Sequence, residues 1–187
     1  MKSKISKGLV CLIISLVIAN ASLGSAYATA YTMNVTKYAQ EKTNWCWVAC
    51  AKMIGAYYGR LYAQSDICQY VKGSVVNQTA SLSEVTSAIN YASNRSVMQA
   101  GVAKLDAFIN EARNNRPSVL RIGWNSGGGH VYVVRGAQEE MGPALGGLFV
   151  IDPISGRANA FYEYSKLVNG TTLASGTGKY THTWWVF

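Results

Sequence analysis

Midway along this 187-residue chain the apolar pattern changes period, and no other feature constrains the fold as much. Before Pro117 the spacings are helical. The stretch WCWVACAKMIGAYYG mixes Val48, Ala51, Ile54 and Ala56 with Cys50, Met53 and Tyr57, which predicts a largely buried helix. Thr43 or Asn44 is positioned to cap its start, and Gly59 to end it. SDICQYV predicts a short second helix capped by Ser65. Ser81-Leu82-Ser83-Glu84 is a capping-box pattern that opens a third. KLDAFINEARNN places Leu105, Phe108, Ile109 and Ala112 on one face of a fourth. From Ser118 onward the runs SVLRIGW, HVYVVRG, GLFVIDP and KYTHTWWVF are β-branched and aromatic. Glycine-rich stretches separate them, and they predict an antiparallel sheet. Helices first and strands afterwards predict an α+β domain in which an N-terminal helical half packs on a C-terminal sheet.

The start of the chain reads differently. A basic head, MKSKISKG, precedes the apolar run LVCLIISLVIANASLG and the small-residue pattern around Ala26, Ala28 and Ala30. That order predicts a secretory signal peptide over residues 1–30, cleaved after Ala28 or Ala30, rather than a membrane anchor. Its removal takes three lysines and no acid, so the formal charge falls from +8 to +5. A surplus of that size reads first as a solvated surface with spare lysines, and after that as a surface suited to anionic contact such as a cell wall. No basic block or basic-aromatic stripe points to nucleic acid. Residues 31–187 are expected to form one secreted domain, acting as a monomer.

The chemistry concentrates in QEKTNWCWVAC, residues 40–50. A helix N-terminus favours negative charge, so Cys46, in the first turn, is the candidate nucleophile. Cys50 lies one turn further in. With Cys11 in the leader, three cysteines remain, and one disulfide with one odd thiol is the expectation for an exported chain. Cys50 with Cys68 would staple the first helix to the second. A Cys46–Cys68 bridge, or three buried inert thiols, are the alternatives. Trp45 and Trp47 either pack the core or floor a cleft. Gln40, taken alone, reads as a surface glutamine; the alternative is an amide that donates a hydrogen bond to an oxyanion, beside the backbone N–H of Cys46. Of the two histidines, His130 opens a strand after Ser126-Gly127-Gly128-Gly129 and is the candidate general base and acid. His182 sits in an alternating strand with no such setting. If GLFVIDP pairs with HVYVVRG, Asp152 falls beside His130. Neither histidine has zinc-ligand spacing to a cysteine, and no cofactor is expected. Tyr57, Tyr58, Trp124 and the glycine loop are the candidate lining of a substrate pocket.

Taken in order, Gln40, Asn44-Trp45-Cys46-Trp47, the helix ending Tyr57-Tyr58-Gly59, a glycine-led His130 and Asp152-Pro153 resemble the papain-like cysteine peptidases. The likeness is to the compact bacterial staphopain-like and bacteriocin-processing-like branches, and it runs from Ala39 to Phe187. It implies Cys46 as nucleophile, His130 as base and acid, Asp152 as the residue that orients the imidazole, and Gln40 as oxyanion donor. Many members carry asparagine where Asp152 stands. The implied activity is hydrolysis of peptide bonds in protein or peptide substrates. A peptidoglycan amidase or endopeptidase on the same frame, and a non-catalytic secreted binding module, are the competing readings.

Overall fold

A computed structural model describes residues 28–141 and 145–187. The expected signal peptide therefore lies almost wholly outside the described residues. The chain runs β1 (Ala30–Thr32), α1 (Cys46–Tyr57), α2 (Gln64–Lys72), α3 (Leu82–Ser93), β2 (Val97–Ala100), α4 (Leu105–Arg113) and β3 (Ser118–Trp124). It continues with β4 (Gly129–Gln138), β5 (Gly147–Ile151), β6 (Ala160–Glu163), α5 (Tyr164–Asn169), β7 (Thr171–Leu173) and β8 (Gly176–Val186). The strands form one antiparallel sheet in the order β2-β8-β3-β4-β5-β6, with β1 added to β4 and β7 to β8. The architecture is α+β, with helices against an antiparallel sheet.

Helix α1 is apolar nearly all round because it is enclosed nearly all round. Val48, Cys50, Ala51, Met53 and Ile54 have no exposed surface. The helix lies between β4 and the pair α2 and α3. Its contact with α3 is close: a Cβ at Gly55 would stand 2.6 Å from the Ala92 carbonyl oxygen, so only glycine fits. The sheet contributes Val119, Leu120, Ile122, Val131 and Val133 to the same core.

The start of α1 is held in an unexpected way. Neither Thr43 nor Asn44 caps it; Trp45 occupies that position without a side-chain bond. Both polar side chains are engaged by Asn77: Asn44 Nδ2 donates to the Asn77 carbonyl at 3.0 Å, and Asn77 Nδ2 donates to Thr43 Oγ1 at 2.8 Å, while Asn77 Oδ1 accepts the Asn44 backbone N–H at 3.0 Å. The indole N–H groups of Trp45 and Trp47 donate to the Val76 and Gln78 carbonyls at 2.7 and 3.0 Å. The two tryptophans thus clip the loop before α3 onto the start of α1. Helix α2 likewise begins one residue before Ser65; Ala63 is its cap, and its N–H is accepted by the Asp66 carboxylate. The capping box of α3 is as its sequence predicts, with Glu84 N–H to Ser81 Oγ and Ser81 N–H to Glu84 Oε2.

The Cys50–Cys68 staple is not formed, and Cys46, Cys50 and Cys68 are all free thiols. Cys50 Sγ faces the sheet, 3.4 Å from the Val131 carbonyl oxygen. Cys68 Sγ faces the 74–76 loop, 3.5 and 3.4 Å from the Ser74 and Val76 carbonyls. The two sulfurs face different elements, one the sheet and the other the loop after α2.

Candidate active site

Two elements bring the site together. Cys46 is the first residue of α1, so its backbone N–H has no carbonyl partner within the helix. His130 is the second residue of β4, and β4 also packs on α1. The glycine ahead of it is needed: a Cβ at Gly129 would lie 2.5 Å from the Ile122 carbonyl oxygen across the β3–β4 ladder. Cys46, Trp47, Ala80, Val85, Gly129 and His130 line one cleft, open beside the thiol and mostly apolar. Trp47 therefore does both jobs left open by the sequence, clipping a loop and walling the cleft. Tyr57 and Tyr58 do neither: the Tyr57 hydroxyl donates to the Asn115 carbonyl, and the Arg95 guanidinium covers the Tyr58 ring.

The β4–β5 hairpin pairs Val133 with Ile151 and so delivers Asp152 to His130. Asp152 Oδ1 lies 2.9 Å from His130 Nε2, and both residues are buried, at 5% and 7% exposure. Nε2 is thereby occupied, and Nδ1 is the ring nitrogen left for the thiol. Burial by itself would depress the imidazole. The hydrogen bond to Asp152, followed by the contact with Cys46, outweighs it and lifts His130 to about 9. The Trp124 ring stacks on the imidazole, 6.1 Å between centroids and 16° between planes.

Asp152 has further partners that sequence reasoning missed. Its Oδ1 accepts the Ile154 N–H at 2.9 Å, and its Oδ2 accepts the Ser175 hydroxyl from the β7–β8 turn. Burial opposes the charge, but these donors and His130 hold the carboxyl below its usual range. Ser175 sits in the glycine-rich stretch NGTTLASGTG, where a serine gives no signal of its own. The second thiol is chemically distinct from the first. Burial, then the proximity of Cys46 and Asp152, pushes Cys50 well up and keeps it protonated.

Gln40 is near the site but not aimed at the thiol. Its Nε2 donates to the Lys42 and Thr43 carbonyls at 3.0 and 2.8 Å, closing the turn ahead of α1. Its backbone N–H donates to the Pro153 carbonyl at 2.8 Å, which ties this segment to the turn after Asp152. His182 makes no bond within this constellation; it stands two strands from β4, paired across the sheet with Arg121, and burial followed by that guanidinium lowers it.

A thiol at a helix start, an imidazole across a cleft from it and a buried carboxylate behind the imidazole define a papain-like cysteine peptidase, a hydrolase. Residues 28–169 match the family model described as papain-like cysteine protease AvrRpt2, and the chain belongs to that family. Comparison with curated protein sequences finds no match. Among solved structures, a C39-like peptidase from Bacillus anthracis superposes with a TM-score of 0.57 at 11% identity, over 85% of this chain and 98% of that one. The peptidase domain of Streptococcus ComA, a bifunctional ABC transporter, gives 0.55 at 14% identity, over 81% and 98%. UfSP from C. elegans gives 0.51 at 11% identity, over 86% of this chain and 34% of its own. At these identities the three share the fold.

Proposed function

We propose that this chain is an exported peptidase that cleaves polypeptides through Cys46, His130 and Asp152. The observation that carries the reading is His130, buried, bonded to Asp152 and lining the same cleft as Cys46. A ring lifted to about 9 is a base strong enough to take the proton that the Cys46 sulfur gives up when it attacks. The Cys46 sulfur attacks the scissile carbonyl carbon, and the carbonyl electron pair moves to oxygen. The Cys46 N–H and one Gln40 amide N–H, released from the turn it closes, stabilise that oxyanion. His130 then gives its proton to the leaving amine as the C–N bond breaks. Water, deprotonated by His130, releases the acyl group and restores the thiol. Asp152 stays ionised throughout and holds the ring at the angle both transfers require. The basic head and apolar run ahead of residue 28 support export.

Casein hydrolysis by the wild-type protein and by Cys46→Ala tests the reading. Turnover and iodoacetamide labelling at residue 46 are expected to disappear together. Undiminished hydrolysis by the variant would refute it.

A further inference from the structure

One buried polar side chain near the site has no part in the chemistry above. Gln64, the first residue of α2, is 1% exposed. Its Oε1 accepts the Glu41 N–H at 3.1 Å, and its Nε2 donates to the Ala39 carbonyl at 2.6 Å. The two bonds bracket Gln40. In an extended chain the backbone groups of residues i−1 and i+1 point to one side and those of residue i to the other. The pattern holds here: residues 39 and 41 face Gln64, whereas the Gln40 N–H faces the Pro153 carbonyl, 2.8 Å away. A carboxamide carries one acceptor and donors on a short planar group, which is what such an edge requires. An apolar side chain in its place would remove both bonds and free the Ala39 carbonyl and the Glu41 N–H from their fixed partner.

We infer that Gln64 is a positioning residue for the oxyanion site: it fixes the backbone on both sides of Gln40 and so sets where that amide points. The inference rests on the peptidase reading given above. Residue 40 is held from one side by Gln64 and from the other by the turn that carries Asp152. Loss of the Gln64 clamp leaves a single backbone bond at Pro153, about which the segment turns. Displacement of a catalytic donor by about 1 Å is enough to cost roughly 100-fold in rate.

The test compares a reaction that builds an oxyanion with one that does not. Hydrolysis of a casein-derived peptide, and binding of a peptidyl aldehyde of the same sequence, both place negative charge on oxygen. Alkylation of Cys46 by iodoacetamide is a displacement at carbon that creates no such charge. Gln64→Met is expected to lower kcat roughly 10- to 100-fold with KM changed by less than about threefold, and to weaken aldehyde binding in proportion. The alkylation rate should stay within about twofold of wild type. Gln64→Glu keeps the acceptor for the Glu41 N–H and loses the donor to Ala39; it should fall between wild type and Gln64→Met, and it carries the test if the methionine variant does not fold. Combining Gln64→Met with Gln40→Ala should add little to the loss from Gln40→Ala alone, because both act through one amide. An unchanged kcat, parallel loss of alkylation and hydrolysis, or additive losses in the double variant would each overturn the inference and leave the peptidase reading standing. A wild-type protein whose Cys46 alkylates but which cleaves no peptide overturns both.

Discussion

Replacement of Asp152 by asparagine isolates the charge behind the imidazole, since the amide oxygen still accepts from His130. The ring's rise from 6.5 to about 9 corresponds to about 3 kcal/mol in favour of its protonated form, at roughly 1.4 kcal/mol per pH. Burial acts against that rise, and the Asp152 bond is the largest contribution in its favour, with Cys46 next. Without the carboxylate the burial penalty remains, so the variant's ring should titrate at least one to two pH lower, on the order of 1.4 to 3 kcal/mol. Activity requires the protonated ring. The alkaline limb of kcat/KM should therefore stand near 9 in the wild type and near 7 to 8 in Asp152→Asn, within roughly those limits. Stability should follow the same group. A ring that binds its proton more tightly folded than unfolded contributes in full below about 6.5, and the contribution is lost as pH rises through about 9. Urea unfolding between pH 6 and 10 should show that decline in the wild type and a flatter profile in the variant. An alkaline limb that does not move in Asp152→Asn would refute the assignment of the carboxylate as the source of the raised imidazole.

Three other perturbations have defined outcomes. Ser175→Ala removes a hydroxyl donor from Asp152 Oδ2, a bond to a charged group worth about 1.5 to 3 kcal/mol. The Asp152 carboxyl should rise, so that the stability it contributes above the ordinary carboxylate range fails earlier as pH falls; acid unfolding followed by tryptophan fluorescence measures it. Gly129→Ala forces a Cβ to 2.5 Å from the Ile122 carbonyl oxygen, and thermal unfolding should report about 1 to 3 kcal/mol of destabilisation together with reduced kcat. Alkylation in denaturant without reductant, read by intact mass on residues 31–187, should label Cys46, Cys50 and Cys68 all three; a mass showing one label would mean that two of them are bridged.

Much of the scaffold was legible because its signals are local. The Ser81–Glu84 box needs only a four-residue spacing, and β3 occupies Ser118–Trp124, the whole of the run SVLRIGW. The approach of Asp152 to His130 followed from one hairpin assumption, and the β4–β5 ladder has that register. The cap of α1 departs from its local signal for a physical reason: Thr43 and Asn44 are good local caps, but Asn77, over thirty residues away, engages their side chains instead. The short strands β1, β2, β6 and β7 carry three or four residues each, too few to show a period of two.

What the sequence determined by itself is the α+β order of elements, the helix-start position of Cys46 and the small set of residues able to exchange a proton with it. These depend on periodicity, capping and side-chain chemistry, all of which are read over a few neighbouring residues. Only the tertiary structure decided which way each side chain points. It turned Cys50 toward Val131 and Cys68 toward the 74–76 loop, brought Ser175 to Asp152 across 23 residues, and set Gln64 against the backbone on either side of Gln40. Apart from the Cys68 contact, which spans only a few residues, these contacts join segments remote in the chain, and their direction is fixed by how the helices seat on the sheet.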